Sequence, residues 1–237
     1  MKYLMILLTC AAVFSAAACK SDASVAANIT KSEPAATPAP VEAAPRPDPV
    51  VEKTAIRVVP FQEKDVPARA LTEGELISGA HWFDRNGENF LLVSQSKADQ
   101  GDLTKQYLYA DLFVVQKGKL DLLWQTKDWA ENHCDAGAGL VSPIDVRDLD
   151  GDGVAENMFV YNVEGSCDVS PRVHKLMFHS GDKKLAIRGS NTVNLPEGAT
   201  KGEKKFDDTF KQAPAAFRTA ASDFWDKYVK PFGATGK

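Results

Sequence analysis

The sequence predicts a mainly β domain of the α+β class, with antiparallel hairpins in blade-like or packed sheets and one C-terminal helix laid on them. Short apolar runs rich in β-branched and aromatic residues alternate with glycine-bearing turns, which is the pattern of hairpins. A stripe of large apolar residues at three- and four-residue spacing comes only near the C-terminus, where it reads as a single helix. Ahead of both lies an alanine- and proline-rich stretch without a glycine or an aromatic residue, which has nothing with which to build a core.

The first residues, Met1-Lys2-Tyr3 followed by the apolar run Leu4 to Ala18, have the positive start, hydrophobic stretch and small-residue ending of a secretory signal. A bilayer-spanning helix needs about 20 apolar residues, and this run is shorter and passes at once into polar sequence. Residues 1–18 are therefore expected to be a removable leader. Residues 19–53 carry Pro34, Pro38, Pro40, Pro45, Pro47 and Pro49. Proline keeps such a segment extended at about 3.1 Å per residue, so it is expected to act as a semi-rigid tether. Residues 54–237 remain as one domain large enough for a core of its own. The formal charge of −4, without a basic cluster, argues against nucleic acid as the partner.

Four hairpins can be read within the domain. Leu76–Phe83 and Phe90–Ser94 flank Asp84-Arg85-Asn86-Gly87, a turn signal through Asn-Gly. Tyr107–Gln116 and Leu120–Trp124 flank Lys117-Gly118-Lys119, Ile144–Val146 and Met158–Tyr161 flank an acidic loop, and Val173–Phe178 and Leu185–Ile187 flank Ser180-Gly181-Asp182. Acidic and basic hairpins alternate twice, which suggests two blade-like units. Two such units cannot close a propeller ring, so an open sheet or a pair of packed sheets is expected. Pro214 suits the first turn of a helix that carries Phe217, Ala221, Phe224 and Tyr228 on one stripe, with Trp225 alongside. Phe206 and Phe210 suggest a short helix before it.

The acidic loop holds the densest chemistry. Asp148, Asp150 and Asp152 stand at the first, third and fifth places of an oxygen-ligand calcium loop, with Gly153 at the turn. Val154 would offer its backbone carbonyl at the seventh place, and Glu156 fills the ninth. The twelfth place, where a helix–loop–helix site has its bidentate glutamate, is Phe159, so the loop departs from an EF-hand and resembles the calcium loops in β-hairpins of integrin-type propeller repeats. The alternative is an acidic turn whose aspartates hydrogen-bond their own backbone. Four carboxylates in so short a span repel one another without a cation, which favours a structural calcium. No Gly-x-Ser-x-Gly, His-Glu-x-x-His or Gly-x-x-x-x-Gly-Lys occurs. His174 and His179, five apart on one strand, would face opposite ways and could not share a metal.

Ala16-Ala17-Ala18 before Cys19 resembles the lipobox of bacterial lipoproteins, with alanine at Ala16 where leucine is usual. That resemblance makes Cys19 the lipid-bearing residue. Lys20, rather than aspartate, follows it, which implies outer-membrane sorting with the domain periplasmic or surface-facing. With Cys10 in the leader and Cys19 lipidated, Cys134 and Cys167 remain as a disulfide pair for an oxidising compartment. Closing a loop of roughly 30 residues would stabilise the fold by about 3–4 kcal/mol in the chain-entropy account.

The run from Asp145 to Glu156, then Tyr161, Cys167-Asp168-Val169-Ser170-Pro171, Lys175-Leu176-Met177 and Ala186-Ile187-Arg188-Gly189, resembles a family of small exported bacterial proteins, some named for surface-polysaccharide biosynthesis. The likeness extends over Gly74 to Phe232 and takes in Trp82, Asp84, Gly87, Glu88, Asn89 and Cys134. It carries no catalytic assignment. Together these readings predict a non-enzymatic, calcium-stabilised envelope lipoprotein that binds or assembles envelope material, with surface polysaccharide as the candidate ligand and Trp82, Trp124 and Trp129 as residues able to stack on sugars. The alternatives are a glycan hydrolase using a carboxylate pair drawn from Asp84, Glu88, Asp168 or the loop, and a purely structural lipoprotein.

Overall fold

The fold is seen in a computed structural model that describes residues 55–101, 103–132, 137–164 and 168–233. The leader, the tether, Cys19, Cys134 and Cys167 lie outside the described residues. The first sheet joins β1 (Arg57–Val59), β2 (Glu75–Asp84), β3 (Gly87–Gln100), β4 (Leu103–Gln116) and β5 (Lys119–Asn132) in sequence order. The second runs from β6 (Asp145–Arg147) through β7 (Glu156–Asn162) and β8 (Val173–Ser180) to β9 (Lys183–Ser190). Two further strands, β10 (Val193–Leu195) and β11 (Gly198–Thr200), belong to a small third sheet. The chain then returns as β12 (Lys204–Phe206) to the free edge of β9, and β13 (Phe232–Gly233) pairs parallel with β10.

All four expected hairpins are present, and each large sheet is a four-stranded meander with one edge strand added. The two sheets pack face to face. Trp82, Leu91, Val93, Leu108, Ala110 and Leu112 of the first meet Phe159, Tyr161 and Met177 of the second in one buried cluster. Alternation along β7 and β8 sends Met158, Val160, Leu176 and Phe178 to the opposite face. There α1 (Ala215–Tyr228) lies with Phe217, Ala221, Phe224 and Trp225 buried, as its stripe predicts. Burying each of these aromatics is worth about 1.5–3 kcal/mol, far more than helix propensity contributes. On the outer face of the first sheet, Phe90, Leu92 and Phe113 are covered by Phe61, Val66, Ala70 and Leu76.

Two expectations are corrected. β5 does not stop near Trp124 but continues to Asn132, because its polar half pairs residue for residue with β4. Phe206 lies on strand β12 opposite Ile187, and the short 3-10 helix begins only at Asp208. Phe210 lies on that short helix and is buried with α1. Polar bonds join the sheets as well. Asp128 of β5 accepts hydrogen bonds from the Tyr161 hydroxyl on β7 and, at 2.7 Å, from the Lys175 ammonium on β8.

Candidate metal centre

The loop between β6 and β7 coils because Gly151 and Gly153 hold φ of 77° and 83°, a left-handed backbone that side-chain-bearing residues rarely adopt. Each aspartate secures the coil. Asp148 accepts from the Gly151 N–H at 2.6 Å and the Gly153 N–H at 3.1 Å, Asp150 from the Asp152 N–H at 3.1 Å, and Asp152 from the Val154 N–H at 2.7 Å. Glu156, at the start of β7, reaches back to accept from the Leu149 N–H at 2.7 Å.

Three of these carboxylates converge. Asp148, Asp150 and Glu156 each bring one oxygen within 4.8 Å of the others. Calcium holds oxygens at about 2.3–2.6 Å, so oxygens across one ion lie at most about 5 Å apart, and the trio fits that span. A carboxylate oxygen has lone pairs enough to accept an N–H and still face a cation. Asp152, read from spacing as a further carboxylate ligand, stands outside the trio, while the contribution expected of Val154 is a backbone carbonyl and not a side chain. The second Asp152 oxygen is turned towards the Arg85 guanidinium at 3.4 Å, and Val154 is buried with its N–H given to Asp152.

The loop is fastened to the opposite sheet. The Arg85 N–H donates to the Gly153 carbonyl at 2.9 Å, and the Ala155 N–H donates to Asp84 at 3.1 Å. Asp84 also accepts from the Trp82 indole at 2.9 Å and the Asn86 N–H at 2.8 Å. Gly87 closes the same turn with its backbone so close to β4 that a Cβ there would meet the Val115 carbonyl oxygen at 2.4 Å. Spacing alone did not assign Asp84 to this contact. The available signal was the Trp82/Asp84 pair two apart on one strand, which puts an indole donor and a carboxylate on the same face.

Glu156 is 2% exposed. Burial, with the charges of Asp150 and Asp152 adding to it against the Leu149 and Ser180 hydrogen bonds, pushes its carboxyl up from 4.5 to about 7. The folded chain thus holds this proton more tightly than the unfolded one. Its contribution to stability is full below about pH 4.5 and is lost as pH rises through about 7, on the order of 2–3 kcal/mol. His174 and His179, buried and held down to about 4 and about 3, act oppositely, since the unfolded chain protonates them first. The Glu156 effect is therefore read as a difference between two chains. In chelator, Glu156→Gln is expected to gain stability relative to wild type as pH rises from 5 to 7.5, measured by urea unfolding; parallel pH profiles would refute it.

A groove of about 460 Å³ opens beside the loop, lined by Asp150, Ser180, Lys183, Leu185, Thr209 and Pro214 among others. The other residues singled out from sequence are dispersed. His174 meets Trp225 edge-on, on the helix side of its sheet, while His179 stacks on Trp124 at 3.5 Å, on the other side. His81 pairs with Glu88 at 2.9 Å. Trp82 is buried core, Trp124 is packed against that core, and Trp129 is exposed. No family model, curated protein or solved structure matches the chain.

Proposed function

We propose that this chain is a non-enzymatic binding or assembly factor of the cell envelope, anchored in the outer membrane through a lipid on Cys19 and a proline-rich tether, stabilised by calcium, with envelope polysaccharide as its ligand. The observation that carries the calcium part is the convergence of Asp148, Asp150 and the buried Glu156 on a loop fastened to both sheets. A cation there neutralises charges that otherwise repel and holds the loop against the turn at Arg85. Its role is structural: it stiffens a binding body. The resemblance to exported proteins named for surface-polysaccharide biosynthesis supports the choice of ligand, and the resemblance of Ala16-Ala17-Ala18-Cys19 to a lipobox supports the anchoring.

The test is binding of the full chain, in detergent, to polysaccharide extracted from its own envelope, in calcium and again with chelator. Saturable binding that weakens on chelation is expected. No binding in either condition would end the glycan reading. The hydrolase alternative draws on Glu156, raised to about 7, and on Asp150, which lines the groove, since glycoside hydrolysis uses a protonated and an ionised carboxyl on either side of the bond it cleaves. Of the other candidates for such a pair, Asp84 and Glu88 are engaged with Trp82, Ala155 and His81, and Asp168 accepts from the Ser170 N–H at 2.8 Å. Shortened polysaccharide after the same incubation would decide for the hydrolase.

A further inference from the structure

The outer face of the β4–β5 hairpin carries an arrangement that the core does not explain. Direct cross-strand pairing places Lys105 opposite Glu131, Tyr107 opposite Trp129, and Tyr109 opposite Lys127. These six form three rows on two strands, all on the face turned away from the second sheet, because Leu108, Ala110 and Leu112 take the other face. Trp129 is 49% exposed, beside a half-buried Tyr107. The Tyr107 and Tyr109 rings stack 6.1 Å apart and 20° from parallel, with Tyr109 itself buried beneath the surface.

Its charges are already paired. The Lys105 ammonium sits 3.7 Å from the Trp129 ring centre and 2.8 Å from Glu131. The Lys127 ammonium lies 4.8 Å from Tyr109 and 5.1 Å from Tyr107, and 3.2 Å from Glu73. An ammonium against an indole face is worth about 0.5–1 kcal/mol at an exposed site. It helps hold the ring in place while about half of Trp129 stays exposed. A half-exposed aromatic already held by its neighbours is a surface prepared in advance of its ligand, so little ordering cost remains on binding.

We infer that this strip is the polysaccharide-contacting surface and that its ligand is an extended, uncharged pyranose chain. This rests on the glycan-binding reading above and names its site and ligand chemistry. The C–H faces of pyranose rings are flat and apolar and cover Trp129 and Tyr107, while hydroxyls at the ring edges meet Lys105, Glu131, Lys127 and Glu73, which offer donors and acceptors on both sides. Since each lysine already has a carboxylate, a polyanion would have to displace Glu131 and Glu73 to gain a partner, and a neutral chain need not. The strip is an open face rather than a pocket, which suits a polymer over a single sugar.

The test is calorimetric titration of the full chain with cellohexaose, chitohexaose and mannohexaose, with tryptophan fluorescence followed in parallel. At least one hexasaccharide is expected to bind and perturb the fluorescence. Trp129→Ala and Tyr107→Ala should each weaken binding about tenfold or more, a loss of about 1.4 kcal/mol. Trp129 is at the surface, so the melting temperature of Trp129→Ala should stay close to wild type, and Leu108→Ala, a core change, reports what misfolding looks like. Failure of all three hexasaccharides to bind, or binding unchanged in Trp129→Ala, overturns the assignment. So does a Trp129→Ala chain that differs only in oligomeric state, which would make the strip a contact between copies. Envelope polysaccharide bound equally by wild type and Trp129→Ala removes the strip and leaves the function; polysaccharide not bound by wild type removes both.

Discussion

Millimolar calcium is expected to raise the thermal midpoint of the full chain by roughly 10 °C over the chelated protein. A ligand at about 1,000 times its dissociation constant stabilises the state it binds by about 4 kcal/mol, and a domain of this size gains roughly 2–4 °C per kcal/mol. The effect is large because the empty trio is itself unfavourable. Asp148, Asp150 and Glu156 face one another within 4.8 Å, and Glu156 is buried. Asp150→Asn with Glu156→Gln tests this directly. Each replacement keeps an oxygen for the backbone N–H that its parent bonds, Asp152 and Leu149 respectively, and removes charge. The variant should be at least as stable as wild type in chelator and should gain little in calcium. Magnesium, which requires a tighter octahedral shell at about 2.0–2.1 Å, should substitute poorly. A wild-type midpoint indifferent to calcium would remove the metal from the account of this protein.

Asp84→Ala is expected to cost about 3–4 kcal/mol. Its carboxylate accepts three N–H groups, from Trp82, Asn86 and Ala155. The Trp82 side chain is 1% exposed, so its indole would be left without a partner, at about 1–3 kcal/mol for an unsatisfied buried donor. Loss of the Ala155 bond also frees the acidic loop from the first sheet, so calcium affinity should fall with stability. Arg85→Ala is the comparison. Its guanidinium pair with Asp152, 3.4 Å long and about half exposed on both sides, should be worth less than about 1 kcal/mol. Urea unfolding of both variants, with and without calcium, checks the order. Equal losses would mean that Asp84 does not hold the sheets together.

The hairpins were legible because their information is local. Alternation over a few residues and a glycine at the turn identify a strand pair without knowledge of the rest, and all four pairs lie where that pattern put them. The helix was legible for the same reason, its stripe recurring within one segment. What was not legible has a common cause. β1, β10, β11 and β13 are two or three residues long and exist because a neighbour supplies the hydrogen bonds. The far half of β5, with Gln125, Lys127 and Asp128, has the composition of a loop and becomes strand only by pairing with β4. Phe206 looks helical beside Phe210 until β9 takes it as an edge residue.

The candidate site divides along the same line. Spacing alone located the acidic loop, its glycines and three carboxylates that do converge, since a coil of nine residues is built from its own backbone. Spacing alone also offered Asp152 as a ligand, and only the facing sheet shows that one of its oxygens is turned towards Arg85. Of three tryptophans able to stack on sugars, only the packing of two sheets determined that Trp82 and Trp124 are enclosed and Trp129 is left open opposite Tyr107. By itself the sequence determined the four hairpins, their turns, the C-terminal helix and the acidic loop, because each of these depends on residues a few positions apart. Tertiary structure alone decided which faces are covered, which groups fasten the loop to the facing sheet and which aromatics reach solvent, because each of those depends on residues that only folding brings together.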